Sequence, residues 1–119
     1  MINKDFIERF EEALDKGYIK AYFQPLIRTI SGKVCGAEAL ARWVDPVLGI
    51  IPPGEFIRLL EENRLIHKLD LAMLENVCRF YHRHGMDHFP CSVNLSRIDF
   101  EETDMFSAIT GILKNMMFP

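Results

Sequence analysis

The sequence lacks what would tie it to a membrane, a nucleic acid or a disulfide framework. No apolar run approaches the roughly 20 residues needed to span a bilayer. The stretch from Met1 to Asp5 has no apolar centre of the kind a secretory leader carries. Basic residues are not in excess: 14 Lys and Arg stand against 17 Asp and Glu, for a net charge of -3. That balance makes no electrostatic case for binding DNA or RNA non-specifically. The three cysteines, Cys35, Cys78 and Cys91, are odd in number and not at metal-site spacings. They predict buried thiols in a reducing, cytoplasmic compartment. Internal repeats, low-complexity tracts and linkers are also missing.

What is present is organised around one stretch, Val34-Cys35-Gly36-Ala37-Glu38-Ala39-Leu40-Ala41-Arg42-Trp43. Read as a strand, it alternates between two faces. Cys35, Ala37, Ala39, Ala41 and Trp43 make a small, apolar face on which a helix can pack closely. Val34, Gly36, Glu38, Leu40 and Arg42 make the other, with a carboxylate and a guanidinium one leucine apart. A helix on one side and charges on the other fit a barrel wall with its site inside. By spacing alone, a Glu38–Arg42 salt bridge within that wall is the favoured reading.

Around this strand the spacing predicts an α/β chain. A helix spans residues 4–16, with Phe6, Ile7, Phe10 and Leu14 on one face, Asn3 or Asp5 as a cap and Gly17 as the stop. It either covers one end of a barrel or spaces the chain from an upstream domain. A strand follows from Ile19 to Ile30, with Tyr22, Gln24, Leu26 and Arg28 on one face. Ser31-Gly32-Lys33 turns it back into the Glu38 strand, and so short a connection implies an antiparallel hairpin. Residues 45–54 read as a loop, and Pro53 opens a helix that reaches Glu62. Asn63-Arg64 breaks it. A longer helix from Leu65 to His84 carries an apolar stripe of Leu69, Met73, Val77 and Phe80, with Gly85 as its stop. His82, His84 and His88 near its end read as a solvated terminus rather than a zinc site. Phe89 to Ser96 reads as a strand with Ser92, Asn94 and Ser96 on its polar face. Asp99, boxed with Glu102, starts a last helix to about Met116, with Phe106, Ile109, Leu113 and Met116 inward.

The phrase Glu38-Ala39-Leu40 with Arg42-Trp43 resembles the signature of the EAL domain family. Phe23-Gln24-Pro25-Leu26 upstream is similar to that family's first strand. Asp45-Pro46-Val47-Leu48-Gly49, Pro52-Pro53-Gly54-Glu55-Phe56-Ile57, Ile66-His67-Lys68-Leu69-Asp70 and Val93-Asn94-Leu95-Ser96 follow in the family's order. Asp70 is left open between helix packing and the rim of a site. The resemblance runs from about Phe6 onward and covers the front half of the family's domain. It therefore implies that residues 1–119 are the N-terminal portion of a single EAL-type domain. That portion is an incomplete TIM-like (β/α) barrel with an antiparallel first strand, about three strands and four helices. A complete barrel takes about 250 residues.

The resemblance further implies metal-dependent hydrolysis of the bacterial second messenger cyclic di-GMP to the linear dinucleotide. On it, Glu38 and Asn94 are metal ligands, and Gln24, Leu40 and Arg42 meet the substrate. A phosphodiester resists attack because its anionic oxygens repel a nucleophile; a divalent ion neutralises that charge and activates water. Glu38 and Asn94 offer hard oxygens, suited to Mg²⁺ or Mn²⁺. The planar fork of Arg42 suits a phosphate. The family's remaining carboxylates and its lysine lie on later strands, so the 119 residues are expected to be inactive by themselves. The alternative is a non-catalytic EAL-type module that binds the dinucleotide or a protein partner. It could stand in a larger signalling protein, even a membrane-anchored one. Three strands of eight cannot close, so an open inner face and unpaired edges imply an oligomer or exchange of elements with a second copy.

Overall fold

The computed structural model describes residues 4–86 and 89–117. Helix α1, Lys4–Lys16, turns Phe10 and Ala13 fully inward. It stops at Gly17, whose φ of 78° lets the Tyr18 N–H reach back to the Ala13 carbonyl at 2.8 Å. The tight turn feeds β1, Ile19–Ile27, which pairs antiparallel with β2, Val34–Asp45. β1 ends before Ile30 because the Arg28 N–H is taken by the Lys33 carbonyl across the turn, at 2.9 Å.

β2 is the central strand. β1 runs along one of its edges, and two short strands share the other. One is β3, Gly49–Ile51, antiparallel to the end of β2; the other is β4, Cys91–Val93, parallel to it at residues 37–39. β3 was not expected from a stretch rich in proline and glycine. Asp45 makes it: its Oδ1 accepts from the Val47 and Leu48 amides at 2.8 and 2.9 Å, and this folds the chain straight back. Those two bonds also hold the Asp45 carboxyl below its ordinary value. The close approach of β4 requires Gly36, where a Cβ would lie 2.9 Å from the Pro90 carbonyl oxygen.

Helices α2, Pro53–Glu62, and α3, Ile66–Arg83, cover the apolar face of the sheet. The break between them falls at Arg64, in the left-handed region with φ 55°. Trp43 is the centre of the core, with Phe6 and Phe10 of α1 at ring distances of 6.2 and 6.4 Å and Phe56 of α2 edge-on at 5.5 Å. α1 is therefore a cover, not a free spacer. The buried stripe of α3 is Leu69, Met73, Val77 and Tyr81. Phe80, expected inside, is exposed because a step of four from Val77 reaches Tyr81. Its ring instead meets Phe23 at 4.9 Å and His84 at 4.4 Å. His88 lies outside the described residues.

The last expected strand is shorter than Phe89–Ser96, because the chain leaves the sheet after Val93. The last expected helix is two: α4, Asp99–Glu102, and α5, Met105–Met117. Thr103 is extended between them, and Asp104 caps α5 by accepting from the Ser107 amide at 3.2 Å and its hydroxyl at 2.9 Å. Glu102 closes no box with Asp99; it pairs with Arg64, as does Glu101. Met105 is buried; of the side chains expected inward, Phe106 and Leu113 are exposed and Ile109 is half-buried. Asn3 and the Met116 side chain lie outside what is described. All three cysteines are free, and Cys35 is exposed rather than buried, its thiol donating to the Leu26 carbonyl at 3.3 Å. The architecture is α/β, with four strands and five helices among the described residues.

Candidate functional site

Helices cover only the Trp43 face of the sheet. The opposite face is open, and the alternation of β1 and β2 brings Tyr22, Gln24 and Leu26 of one strand beside Glu38, Leu40 and Arg42 of the other. Gln24 stands directly across from Glu38, Tyr22 from Leu40 and Lys20 from Arg42. On its other side Glu38 is level with Ser92 of β4. Asn94, two residues past Ser92, follows immediately on the end of that strand.

Glu38 is half-buried, and among the described residues it has neither an ion pair nor a side-chain hydrogen bond. Gln24 and Asn94 are likewise unpartnered there. The salt bridge between Glu38 and Arg42 does not form. Arg42 lies instead over the Tyr22 ring, its guanidinium carbon 5.1 Å from the centroid. Glu38 on the open face and Asn94 at the end of β4 thus keep their hard oxygens free, and Arg42 keeps its N–H donors free beside the Tyr22 ring. This is the donor chemistry that a hard divalent ion and a phosphate take. No group of three or more His, Cys, Asp or Glu side chains placed to hold a metal occurs among the described residues. Glu38 and Asn94 offer two hard oxygens, fewer than the roughly six that a hard divalent ion takes.

The five residues do not share one cavity. A cavity of about 360 Å³ opens on the helix side of the β2 edge, between β3 and β4. Leu40 and Asn94 line it with Ile57, Leu69, Asp70 and Ser96. A shallow basin of about 300 Å³ on the open face is lined by Tyr18, Lys20, Tyr22 and Arg42. Gln24 and Glu38 lie on the sheet surface outside both. Asp70 belongs to the first cavity, nearly buried on α3, where its Oδ2 accepts from the Ser96 amide at 2.9 Å. Lys20 was not singled out from the sequence, and Tyr22 was placed on the Gln24 face without a role. Their parity with Gln24 on β1 was the available signal, and the pairing with Arg42 needed the register.

Comparison with known proteins bears on this geometry. The EAL domain family model matches residues 7–117. The uncharacterised protein Rv1357c of Mycobacterium tuberculosis is 36% identical over 111 residues, which are 90% of this chain and 36% of that protein. The cyclic di-GMP phosphodiesterase RocR of Pseudomonas aeruginosa is 45% identical over 56 residues, 47% of this chain and 14% of RocR. Among solved structures, the PaMucR phosphodiesterase in complex with c-di-GMP superposes with a TM-score of 0.79 at 27% identity, covering 94% of this chain and 47% of that one. The chain thus spans less than half the length of each of these proteins.

Proposed function

The chain belongs to the EAL domain family, and on that premise we propose that it is the N-terminal part of a domain that hydrolyses cyclic di-GMP to its linear dinucleotide. The observation that carries this reading is the unpaired Glu38 carboxylate, set across from Gln24 on an open face with Arg42 two same-face positions further along β2, past Leu40. Glu38 and Asn94 would hold a Mg²⁺ or Mn²⁺ ion together with ligands that the described residues do not supply. Such an ion, when bound, neutralises phosphate charge and makes a water a better nucleophile. The chain's own residues do the rest. Arg42 presents its fork to a phosphate oxygen, Gln24 hydrogen-bonds the nucleotide, and Leu40 gives the base an apolar wall. With two protein oxygens for the metal, the 119 residues bind ligand without turning it over.

The alternative is a module that binds the dinucleotide or a protein partner and never cleaves. Phosphodiesterase assays with Mg²⁺ or Mn²⁺ separate the two, run on the 119-residue chain and on a longer protein that carries it. Turnover by the longer protein, abolished by Glu38→Gln, is the expected result. Binding without turnover in the longer protein, unaffected by Glu38→Gln, would establish the second reading instead.

A further inference from the structure

Asn94 sits one residue past the last ladder pair of β4, Ala39 with Val93. The sheet therefore does not fix it, and the next anchored residue is Ser96. The Ser96 amide is shared by two carboxylates, Asp70 Oδ2 and Asp99 Oδ2, each at 2.9 Å. Its carbonyl in turn accepts from the Asp99 amide at 3.0 Å. Asp70 is 8% exposed and Asp99 is not exposed at all. Two carboxylates that converge on one donor away from water cannot both carry charge cheaply. Burial above all, then the contact with Asp99, raises the Asp70 carboxyl to about 8 against the pull of the Ser96 amide, and Glu61 of α2 adds in the same direction. A single proton shared by the two carboxyls lets the pair attract where two anions would repel. The loop after β4 is thereby tied to α3, a helix of 18 residues. Leu40, Asp70, Asn94 and Ser96 line one cavity.

We infer that Asp70 and Asp99 are positioning residues, a buried carboxyl pair that clamps the Ser96 amide and so holds the Asn94 side chain at the end of β4. Its bearing on the reaction rests on the metal-ligand reading of Asn94; the clamp itself does not, and it is tested without turnover. The test uses the ¹³C,¹⁵N-labelled 119-residue chain as wild type, Asp70→Asn and Asp70→Ala. It reads the Ser96 amide exchange rate, the Asn94 side-chain amide cross-peak and the scalar coupling from the Ser96 amide nitrogen to side-chain carboxyl carbons. Asp70→Asn keeps a carbonyl acceptor and offers an N–H donor to Asp99. It should leave the Asn94 cross-peak in place and Ser96 exchange within about threefold of wild type. Asp70→Ala should speed Ser96 exchange by about tenfold or more and move the Asn94 cross-peak, with Phe10 and Leu60 exchange much less affected. An Asn94 signal unmoved by Asp70→Ala would overturn the inference. So would equal loss of protection at Ser96, Phe10 and Leu60. If Asp70→Ala does not fold, two results remain decisive. No coupling from Ser96 to either carboxyl in the wild type, or an Asn94 signal displaced by Asp70→Asn, refutes the clamp.

Discussion

The Arg42 guanidinium carbon lies 5.1 Å from the centroid of the Tyr22 ring, one diagonal step across the β1–β2 ladder. The aromatic face steadies the cation without using any of its N–H donors. Among the described residues Arg42 has no ion pair, so all five donors of its fork are free for an anion. The neighbouring Lys20 adds a second cation to the same basin. This arrangement is better suited to a phosphate than a Glu38–Arg42 pair would be, since a pair would have cancelled both charges.

Replacement of the ring should therefore be felt at Arg42. In a protein carrying this chain, Tyr22→Phe is expected to leave cyclic di-GMP affinity unchanged. Tyr22→Ala should weaken it about two- to fivefold, the size of an exposed cation–π contact. Arg42→Ala should cost about tenfold or more, because a charge-assisted fork to phosphate is lost. Titration calorimetry of the three variants checks the order. Equal affinities for Tyr22→Ala and wild type would mean that the ring positions nothing.

Much of this was legible in the sequence because alternation is a local signal. The two faces of β2, the hairpin from β1, the stops at Gly17 and Gly85 and the shared face of Gln24, Glu38 and Arg42 all follow from period and turn chemistry. What was not legible depended on contacts between distant residues. β3 exists because Asp45 ties two amides, an event that no apolar pattern announces. Phe80 and Tyr81 exchange roles because the stripe advances by four residues rather than three. The early end of β4 reflects carboxylates 26 residues upstream and three downstream that take the Ser96 amide. The roles of the five site residues rest on family resemblance and on their free donors.

Gly36 offers a test of the β2–β4 approach. A Cβ there would stand 2.9 Å from the Pro90 carbonyl oxygen, which also accepts from the Ala37 amide at 3.0 Å. The clash is with backbone, so it cannot be relieved by turning a side chain. Gly36→Ala should destabilise by about 1–3 kcal/mol. Gly54→Ala in α2 meets no atom within 4 Å and should be neutral or stabilising by roughly 0.5 kcal/mol. Thermal unfolding of the two variants side by side distinguishes a steric cost from a generic glycine effect.

Asp70 predicts an unusual dependence of stability on pH. Its carboxyl holds a proton to about 8 when folded, against 3.8 for an ordinary aspartate. Between those values the folded chain binds more protons than the unfolded one, so this group's contribution falls as pH rises. It is complete below about 4 and lost on approaching about 8. Asp45 acts with the opposite sign: its carboxyl is lowered by the Leu48 and Val47 amides, so its contribution is lost as pH falls below the ordinary range. The melting temperature should therefore peak in mildly acidic solution and drop by about 5 °C or more between pH 5 and pH 8. Asp70→Asn, which stays neutral, should flatten that limb. A wild-type profile already flat from pH 5 to pH 8 would contradict the burial argument.

Metal affinity follows from donor count. Mg²⁺ demands about six oxygens in near-octahedral array and gives up its waters reluctantly. Glu38 and Asn94 supply two, with no larger acidic cluster among the described residues. The 119-residue chain should bind Mg²⁺ or Mn²⁺ only weakly, in the millimolar range at about room temperature, with Glu38→Ala removing what binding there is. Micromolar binding by calorimetry would mean that ligands beyond these two take part.

The open face also bears on how the chain behaves in solution. On the side away from the helices Leu26 is 42% exposed, Val34 53% and Ile50 60%. The outer edges of β1 and β4 pair with no strand among the described residues. Unpaired edges beside exposed apolar side chains are templates for a second chain. At roughly 25 cal/mol per Å², covering a few hundred Å² of such surface is worth as much as the net stability of a small domain. The chain by itself should therefore self-associate or exchange elements with a second copy at micromolar concentration. Leu26→Lys places a charge on that face, near the β1–β2 turn, without touching the Trp43 core, and it should shift the equilibrium towards monomer while circular dichroism stays unchanged. Light scattering decides the point: a wild-type chain that is monomeric and stable at tens of micromolar would show that the exposed face is tolerated in water, and the association argument would fall.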